Sequence, residues 1–433
     1  MLSLRSIALS LIAALTVLSS GVADAKPLKV YILVGQSNMQ GHAKEVTLTG
    51  LGMDPETRPL YDKLVDGSGK TRVHENVYIA AFSRTDGWGK IGDAKEKNGK
   101  LTVGYGGNLT DPDKLGPELG FGVTMVENLK EPILLIKTAW GGKSLMVDFR
   151  PPSAGIAPVP ADKAEKLRAE NKLDEAQATQ KEKSGHFYRL MIEHVKTVLA
   201  DPGRYCPAYN PKDGCEIAGF AWFQGFNDLV GPYPPIDPGK GKQGGKDYSE
   251  YSRLLACLIR DVRKDLSVPK LPFAIGVLGV GGINAKENTD LFRKAMAAPA
   301  GMEEFKGNVA NVMTADFWDE KLGELEERKD AAGMKKGKRK DTGDKYAALR
   351  EKMAPLQKEL DILDEQKGKD RNKAKIDELS KRIQDILYTP EEQDYIAKNK
   401  SNQGYHYMGS AKTYSRVGEA LAKAIVEMNR KKE

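Results

Sequence analysis

Ser37 lies in the sequence Gly-Gln-Ser-Asn-Met and directly follows a run of apolar residues, which makes it a candidate nucleophile. His406, near the end of the chain, is a candidate base that would take the serine proton. The backbone N–H groups of Ser37 and Gly142, with the side-chain amide of Asn227, are candidate donors to an oxyanion. Acyl transfer needs a nucleophile, a base and such donors, so these residue types predict that chemistry. The alternative for Ser37 is an ordinary turn residue after a strand.

The same polar blocks contain candidates for binding a substrate. Gln36 and Asn38 flank the serine, Gln224 precedes Asn227, and Lys143 follows a Gly-Gly pair. The lysine predicts recognition of an anionic group, and its alternative is ordinary surface charge.

His42 follows Ser37 by five positions and is a rival candidate for the base, or else a residue that lines the pocket. The chain has 5 histidines and 3 cysteines, dispersed without metal-ligand spacing. We therefore expect no metal and no other cofactor.

Six short apolar runs are suited to form the strands of a sheet; they are residues 28–35, 76–82, 132–140, 217–225, 271–282 and 308–316. Four of them are nearly continuous, as in strands that are buried on both faces. Helical patterns at 116–130, 187–203 and 248–266 lie between some of these runs. This alternation predicts an α/β fold with a mainly parallel sheet and helices on both faces.

The carboxyl ends of such strands are where parallel sheets bind ligands. Ser37, Gly142 and Asn227 each lie just after a different apolar run, and His406 precedes an amphipathic C-terminal helix. We expect the three blocks that follow strands, together with His406, to meet at one edge of the sheet.

Two segments interrupt the alternation. Residues 161–183 are almost wholly polar helix formers and predict an exposed excursion. Residues 320–400 contain two helical patterns with leucines and isoleucines at steps of three and four, from Tyr346 to Leu363 and from Ile376 to Ile386. That spacing predicts an inserted antiparallel helical hairpin, with a turn at 367–370 and a kink or break at Pro355. The insertion is either a solvated elaboration or an arm near the site.

The blocks "GQSNM", "GGKS" and "GFND", with a C-terminal histidine, resemble those of the SGNH hydrolases. They are most similar to the branch of sialate O-acetylesterases and acetylxylan esterases, over about residues 28–316 and 403–428. The resemblance implies a three-layer α/β/α sandwich, no metal, and hydrolysis of small acyl esters, commonly acetyl groups on sugars. It divides the chain into a core at 26–319, an insertion at 320–400, and a C-terminal part of the core at 401–433.

Two carboxylates of the family pattern are missing. Family members often have an aspartate three residues before the histidine, where this chain has Gln403, and many have a glutamate where it has Phe226. The group that would orient His406 therefore stays open. Candidates by position are Asp228, Asp316 and Asp319, the first two being preferred, and a backbone carbonyl in a Ser–His dyad is the alternative.

The first 25 residues have the pattern of a secretory signal: a basic start at Arg5, a short apolar stretch, and Ala-Asp-Ala at 23–25. Cleavage after Ala25 predicts an exported protein, periplasmic or extracellular, without a membrane span. In that setting Cys206 and Cys215 are candidates for a small disulfide ring, and Cys257 is predicted to be a buried thiol.

The formal net charge of +7 is small for 433 residues, and part of it is concentrated at 335–340. A single short basic run is usually a solvated loop, so we expect no nucleic-acid partner. The sequence leaves the oligomeric state open.

These observations favour an exported serine esterase that removes acetyl groups from a sugar or polysaccharide. Because two carboxylates are missing, the first alternative is a non-catalytic carbohydrate-binding or scaffold protein on the same fold. The second alternative keeps the chemistry and changes the substrate to another acyl ester, such as a lipid or thioester.

Overall fold

The computed structural model describes residues 26–83, 95–237, 239, 245–333, 343–365 and 372–431. The predicted signal at 1–25, the basic run at 335–340 and the turn at 367–370 lie outside these ranges. Within them, no helix has the length and apolar character needed to cross a bilayer.

The strands alternate with the helices along the chain. The strands are β1 Leu28–Gly35, β2 Ala43–Lys44, β3 His74–Ser83, β4 Lys95–Leu101, β5 Lys114–Leu115, β6 Ile133–Ala139, β7 Cys215–Phe223, β8 Phe273–Val277 and β9 Val309–Met313. The helices are α1 Ser37–Gln40, α2 Leu48–Met53, α3 Arg58–Leu64, α4 Pro117–Leu129, α5 Ala161–Ala169, α6 Leu173–Lys183, α7 His186–Ala200, α8 Pro202–Tyr205, α9 Phe226–Leu229, α10 Ser249–Asp265, α11 Glu287–Ala297, α12 Glu320–Ala331, α13 Ala347–Glu365, α14 Lys373–Leu387, α15 Pro390–Asn399 and α16 Ala411–Arg430.

In the described part of the chain, seven strands form one sheet in the order β4-β3-β6-β1-β7-β8-β9. All neighbours pair in parallel except β4, which pairs antiparallel with β3 at the edge. The predicted α/β fold with a mainly parallel sheet is therefore confirmed. Each predicted apolar run overlaps one of these strands, and only β4, whose sequence is polar, was not expected.

Helices cover both faces of the sheet, as a three-layer sandwich requires. Side chains three positions apart on a strand point to opposite faces. On β7, a Cβ on Gly219 would lie 2.6 Å from Ile425 of α16, whereas Trp222 donates a hydrogen bond to Tyr251 of α10. Helices α16 and α10 thus lie on opposite sides of the core.

Helix α16 packs closely against α4, and glycines make this approach possible. A Cβ on Gly418 would lie 2.0 Å from the Pro117 carbonyl oxygen, and one on Gly120 would lie 2.1 Å from the Ser415 oxygen. Because His406 lies just before α16, this contact holds the C-terminal segment against the first half of the core.

The insertion contains more than the predicted hairpin. Its helices α13 and α14 contact each other, and α13 continues through Pro355. With α12 and α15 they enclose a small apolar cluster of their own, built from Leu325, Ala332, Met353, Leu356, Leu379, Ile383, Leu387 and Tyr388. The predicted contact at Ile386 is wrong: that residue is exposed, because the chain leaves α14 at Leu387 and packs Leu387 into the cluster instead. The boundaries at 320 and 400 stay a prediction.

The predicted polar excursion forms α5 and α6, and α6 has no buried residue. The disulfide predicted between Cys206 and Cys215 is not formed, since all three cysteines are free thiols. Cys206 follows α8 and is buried in the main core, and Cys215 is only half-buried, at the start of β7. Burial raises the pKa of both thiols.

Candidate active site

Three central strands bring the predicted blocks together. In the sheet β1 lies between β6 and β7, and all three run in the same direction. Ser37 begins α1 after β1, Gly142 follows β6, and Asn227 lies in α9 after β7. Their carboxyl ends border a cavity of about 460 Å³.

The cavity contains the predicted nucleophile, base, oxyanion donors and lysine: Ser37, His406, Gly142, Asn227 and Lys143 all line it. His42, the rival base, lines it as well. The sequence indicated no site role for the other lining residues, which are Gln40, Asn108, Trp140, Gly141, Phe187, Phe226, Val230 and Tyr405. Gly141 and Phe226 lie within the "GGKS" and "GFND" blocks, whereas several of the others reach the cavity from loops whose paths the sequence does not specify.

Gln36, Asn38 and Gln224 were predicted to bind substrate, but none of them lines the cavity. Each is at most 2% exposed. The Gln36 side-chain oxygen accepts from Gln224 Nε2 and from the backbone N–H groups of Gly225 and Asn227, at 3.2–3.3 Å. The Gln36 and Gln224 amides thus join the ends of β1 and β7, whereas Asn38 Oδ1 accepts from Tyr414 Oη of α16 at 3.1 Å. The prediction that these three residues bind substrate is therefore corrected to a structural role.

The residues predicted to supply oxyanion donors, Ser37, Gly142 and Asn227, all line the cavity. Asn227 Nδ2 donates to the Gly142 carbonyl at 3.0 Å, and Asn227 Oδ1 accepts from Gln36 Nε2 at 3.0 Å. These two bonds fix the orientation of the amide and leave its second N–H available. As the first residue of α1, Ser37 has an N–H without an intrahelical acceptor.

Asp228 was predicted to orient His406, but its carboxylate contacts the loop after β6 and not the histidine. It is 1% exposed and accepts from the backbone N–H groups of Leu145 and Met146, from Gln224 Nε2 and from Tyr233 Oη. Burial raises its pKa to about 6, although these four donors oppose the rise. Asp228 thus anchors the loop after β6.

The other two aspartates do not contact His406 either. Asp316 is exposed at the turn after β9. Asp319 caps α12, where it accepts from the Leu322 N–H at 2.9 Å and from Tyr395 Oη at 2.8 Å.

His406 has an orienting partner that the sequence did not indicate. Its Nδ1 lies 3.0 Å from Asn402 Oδ1. An amide oxygen only accepts, so Nδ1 carries the proton and Nε2 is left as the basic nitrogen. Asn402 precedes His406 by four positions, one residue before the position that holds an aspartate in the resembling family.

A tight backbone curl presents His406 to the cavity. Tyr407 and Met408 both have left-handed backbones, with φ of 49° and 58°. The Tyr407 hydroxyl is buried and accepts from the Gly279 N–H at 2.7 Å, while the N–H of Asn402 donates to the Met408 carbonyl at 2.8 Å. These contacts hold a conformation that L-residues rarely adopt, as is common at functional sites.

Burial, followed by the positive charge of Lys114, lowers the pKa of His406 from 6.5 to about 4. The ring is therefore neutral near pH 7 and able to accept a proton. Ser37 Oγ is 3.5 Å from Gln36 Nε2 and makes no hydrogen bond to His406 in this structure. Such catalytic bonds often shorten only when the substrate is bound.

A buried ion pair contacts the turn that carries Ser37. Lys137 on β6 donates to Glu118 Oε2 at 2.7 Å and to the carbonyls of Gln40 and Tyr105 at 2.8 Å. Both charged side chains are at most 3% exposed. Since Gln40 is the last residue of α1, the pair fixes the turn that carries Ser37.

Lys143 extends along the cavity wall with its ammonium 4.5 Å from the centre of the Phe187 ring. Burial lowers its pKa, while the nearby charge of Asp148 opposes this. Its predicted role in binding an anionic group stays a prediction.

A comparison with protein families decides the class of the chain. The family of carbohydrate esterases described as sialic acid-specific acetylesterases matches residues 27–324, more than half of the chain. The chain belongs to the carbohydrate esterases. It is therefore a carboxylic ester hydrolase. The matched part of the esterase includes Ser37, Gly142 and Asn227 but ends before Asn402 and His406.

Solved structures similar to the esterase include a protein from Arabidopsis thaliana and a carbohydrate acetylesterase from Xanthomonas citri. The first is 19% identical, with 66% of this chain and 86% of that chain covered and a TM-score of 0.35. The second is 14% identical, with 70% of this chain and 56% of that chain covered and a TM-score of 0.37. No protein of curated function matches the esterase.

Proposed function

We propose that the chain is an exported serine esterase that removes acetyl groups from carbohydrate, with Ser37 as nucleophile and His406 as base. The observation that supports it most directly is the convergence of Ser37, His406, Gly142 and Asn227 on one cavity, with His406 oriented by Asn402.

In the first half of the reaction, Ser37 Oγ attacks the acetyl carbonyl carbon while His406 Nε2 takes the hydroxyl proton. Asn402 keeps the ring in the required tautomer by accepting from Nδ1–H. The oxyanion accepts from the N–H groups of Ser37 and Gly142 and from the remaining Asn227 amide N–H. Collapse of this intermediate breaks the ester bond, and His406 returns the proton to the departing sugar oxygen.

In the second half, His406 takes a proton from water, whose oxygen attacks the acetyl-serine. The same donors hold the second oxyanion, and acetate leaves as Ser37 regains its proton. No step needs a metal.

The walls of the cavity support a sugar ester as substrate. Tyr405 is 45% exposed, and its ring lies 5.6 Å from that of Phe226, so the two rings present an apolar surface beside His406. Polar groups of Gln40, Asn108 and Lys143 line the other walls. A sugar ring has an apolar face and polar edges. The apolar face can pack on the two aromatic rings while the polar edges contact the polar walls.

The direct test is acetate release by the purified protein from acetylated mono- and polysaccharides, with 4-nitrophenyl esters of two to eight carbons in parallel. We expect acetate from at least one carbohydrate and a steep fall in rate beyond the acetyl ester. Preference for the longer esters would favour the lipid or thioester alternative. Sugar binding without turnover of any ester would favour the non-catalytic alternative.

Replacing Asn402 with aspartate should move the acidic limb of the kcat/KM profile to higher pH by about one to two units. A carboxylate beside Nδ1 favours the charged imidazolium, so it raises the pKa of His406, and more alkaline solution is then needed to free the base. The measurement is hydrolysis of 4-nitrophenyl acetate between pH 3 and 8.

The matched control for this change is Asn171→Asp, the same substitution at an exposed residue between α5 and α6 that does not line the cavity. We expect it to move the limb by less than half as much. An equal shift in the two variants would show that Asn402 does not orient the histidine.

A further inference from the structure

His42 stacks flat against the proposed catalytic histidine. The ring centres of His42 and His406 are 4.1 Å apart and the ring planes differ by 6°. The edge of the Tyr405 ring contacts His406 as well, at 4.4 Å and 69°. His406 is therefore held by a parallel ring and an edge-on ring in addition to its bond to Asn402.

The backbone around His42 is built to place this ring. Gly41 has φ of 81°, and a Cβ there would lie 2.0 Å from Gly116, so the chain turns sharply between α1 and His42. The Gly41 carbonyl accepts from the Gly107 N–H at 2.7 Å. Ser401 Oγ accepts from the Lys44 N–H at 3.0 Å and donates to the Gly409 carbonyl at 2.7 Å. The contact with Lys44 joins the segment that contains His42 to the loop that carries Asn402.

His42 makes few polar contacts of its own. Its Nε2 is buried and has no hydrogen-bond partner among the described residues. A base in a dyad or triad is oriented by a hydrogen bond, and among these residues His406 has one while His42 Nε2 has none. His42 is thus poorly suited to be the base itself.

The charged groups around His42 and His406 affect which of the two imidazole rings can be protonated. His42 faces His406, Lys114 of β5, Lys137 of β6 and Asp111 in the loop before β5. Burial first, and then repulsion from His406 and the two lysines, lowers the pKa of His42 to about 3, with Asp111 opposing the shift. His42 stays neutral when His406 is protonated, because two adjacent imidazolium rings repel each other.

The esterase has a specific need for such a neutral ring. During acyl transfer His406 becomes an imidazolium, which a triad carboxylate ordinarily stabilises. Asn402 fixes the tautomer but carries no charge. The face of a neutral aromatic ring attracts a cation placed over it, and in a water-poor site this attraction substitutes in part for the carboxylate.

We propose that His42 is a positioning residue whose neutral ring, stacked on His406, holds that ring in plane and stabilises its imidazolium form in place of the missing carboxylate. The proposal rests on the proposed function of Ser37 and His406, and it adds a residue that neither the family match nor the motif pattern assigns.

The test compares His42→Leu and His42→Gln, which lack an aromatic ring, with His42→Phe, which keeps one. With 4-nitrophenyl acetate we expect kcat to fall about tenfold in the leucine and glutamine variants, and to stay within about threefold of the unmodified enzyme in the phenylalanine variant. His74→Leu is the matched control, since His74 lies at the start of β3 and does not line the cavity.

The decisive readout is the same leucine substitution in an Asn402→Asp background. There the new carboxylate stabilises the imidazolium, so His42→Leu should cost about threefold instead of tenfold. A merely structural role of His42 would give the same loss in both backgrounds.

Equal losses in the two backgrounds, or a phenylalanine variant as slow as the leucine variant, would overturn the proposal. A phenylalanine variant as inactive as His406→Ala would make His42 the base. If the leucine variant does not fold, the glutamine variant decides in the same two backgrounds. An unmodified enzyme that hydrolyses no acetyl ester, or an active Ser37→Ala variant, would instead contradict the proposed function, so the two failures are distinguishable.

Discussion

Ser37→Ala should lower kcat/KM for 4-nitrophenyl acetate by at least about 10³-fold while leaving the fold intact. Loss of a serine nucleophile commonly costs this much or more, because only binding and the oxyanion donors remain. The side chain is 9% exposed and its oxygen has one long contact, with Gln36 Nε2, so removing the oxygen breaks little of the surrounding structure. Initial rates at several substrate concentrations measure the loss.

Ser68→Ala is the matched control, since Ser68 lies in an exposed turn with Asp66 and does not line the cavity. A serine-directed phosphonate should label the unmodified enzyme and the control but not Ser37→Ala. Turnover within tenfold of the unmodified enzyme in Ser37→Ala would rule out this nucleophile, whatever the substrate.

Lys137→Met should lower the free energy of unfolding by about 3–5 kcal/mol. Removing one partner of a buried ion pair leaves the other charge buried without compensation, which is the costly case. Glu118 is fully buried, so its carboxylate gains no solvent when Lys137 is lost. The carbonyls of Gln40 and Tyr105 also lose their donor. Urea unfolding at pH 7, with the slope checked for two-state behaviour, gives the change.

The double variant Lys137→Met with Glu118→Gln should recover part of that loss, because a neutral glutamine needs no counter-charge. Lys294→Met is the control for an exposed pair, and its loss should stay below about 1 kcal/mol, because solvent screens the contact with Asp290. If Lys137→Met lowered the free energy of unfolding no more than Lys294→Met does, the buried pair would not be what holds the turn that carries Ser37.

The sequence was sufficient to predict the core of the sheet. Continuous apolar runs correspond to strands buried on both faces, and each of the six runs overlaps a strand of the structure. β4 was missed because its polar sequence, Lys-Glu-Lys-Asn-Gly-Lys-Leu, is that of an exposed edge strand with no apolar pattern. Near the end of α14 the helical spacing predicted that Ile386 is buried. In the structure the last residue of the helix, Leu387, is buried instead.

The rule that polar residues after parallel strands meet at one edge placed Ser37, Gly142 and Asn227 around one cavity. It could not separate residues that face the cavity from residues that lie beneath it. Gln36 and Gln224 follow the same strands, yet their amides are consumed in joining β1 to β7.

The partner of His406 was out of reach for a different reason. The sequence offered aspartates at three positions or a backbone carbonyl as partners, whereas the structure places a side-chain amide oxygen, that of Asn402, beside Nδ1. Asn402 lies on a loop whose curl depends on left-handed residues at 407 and 408. Motif spacing carries no information about such a backbone path.

The distance along the chain between Ser37 and His406, about 370 residues, has a consequence for folding. His406, the proposed base, is held at the cavity by the packing of α16 on α4, and contacts between such remote segments carry a high entropic cost and tend to form late. A nascent or truncated chain that lacks His406 and α16 can hold Ser37 and the proposed oxyanion donors, but it lacks the proposed base. Esterase activity should therefore appear late in folding. The time at which activity appears would then report when the native topology is complete.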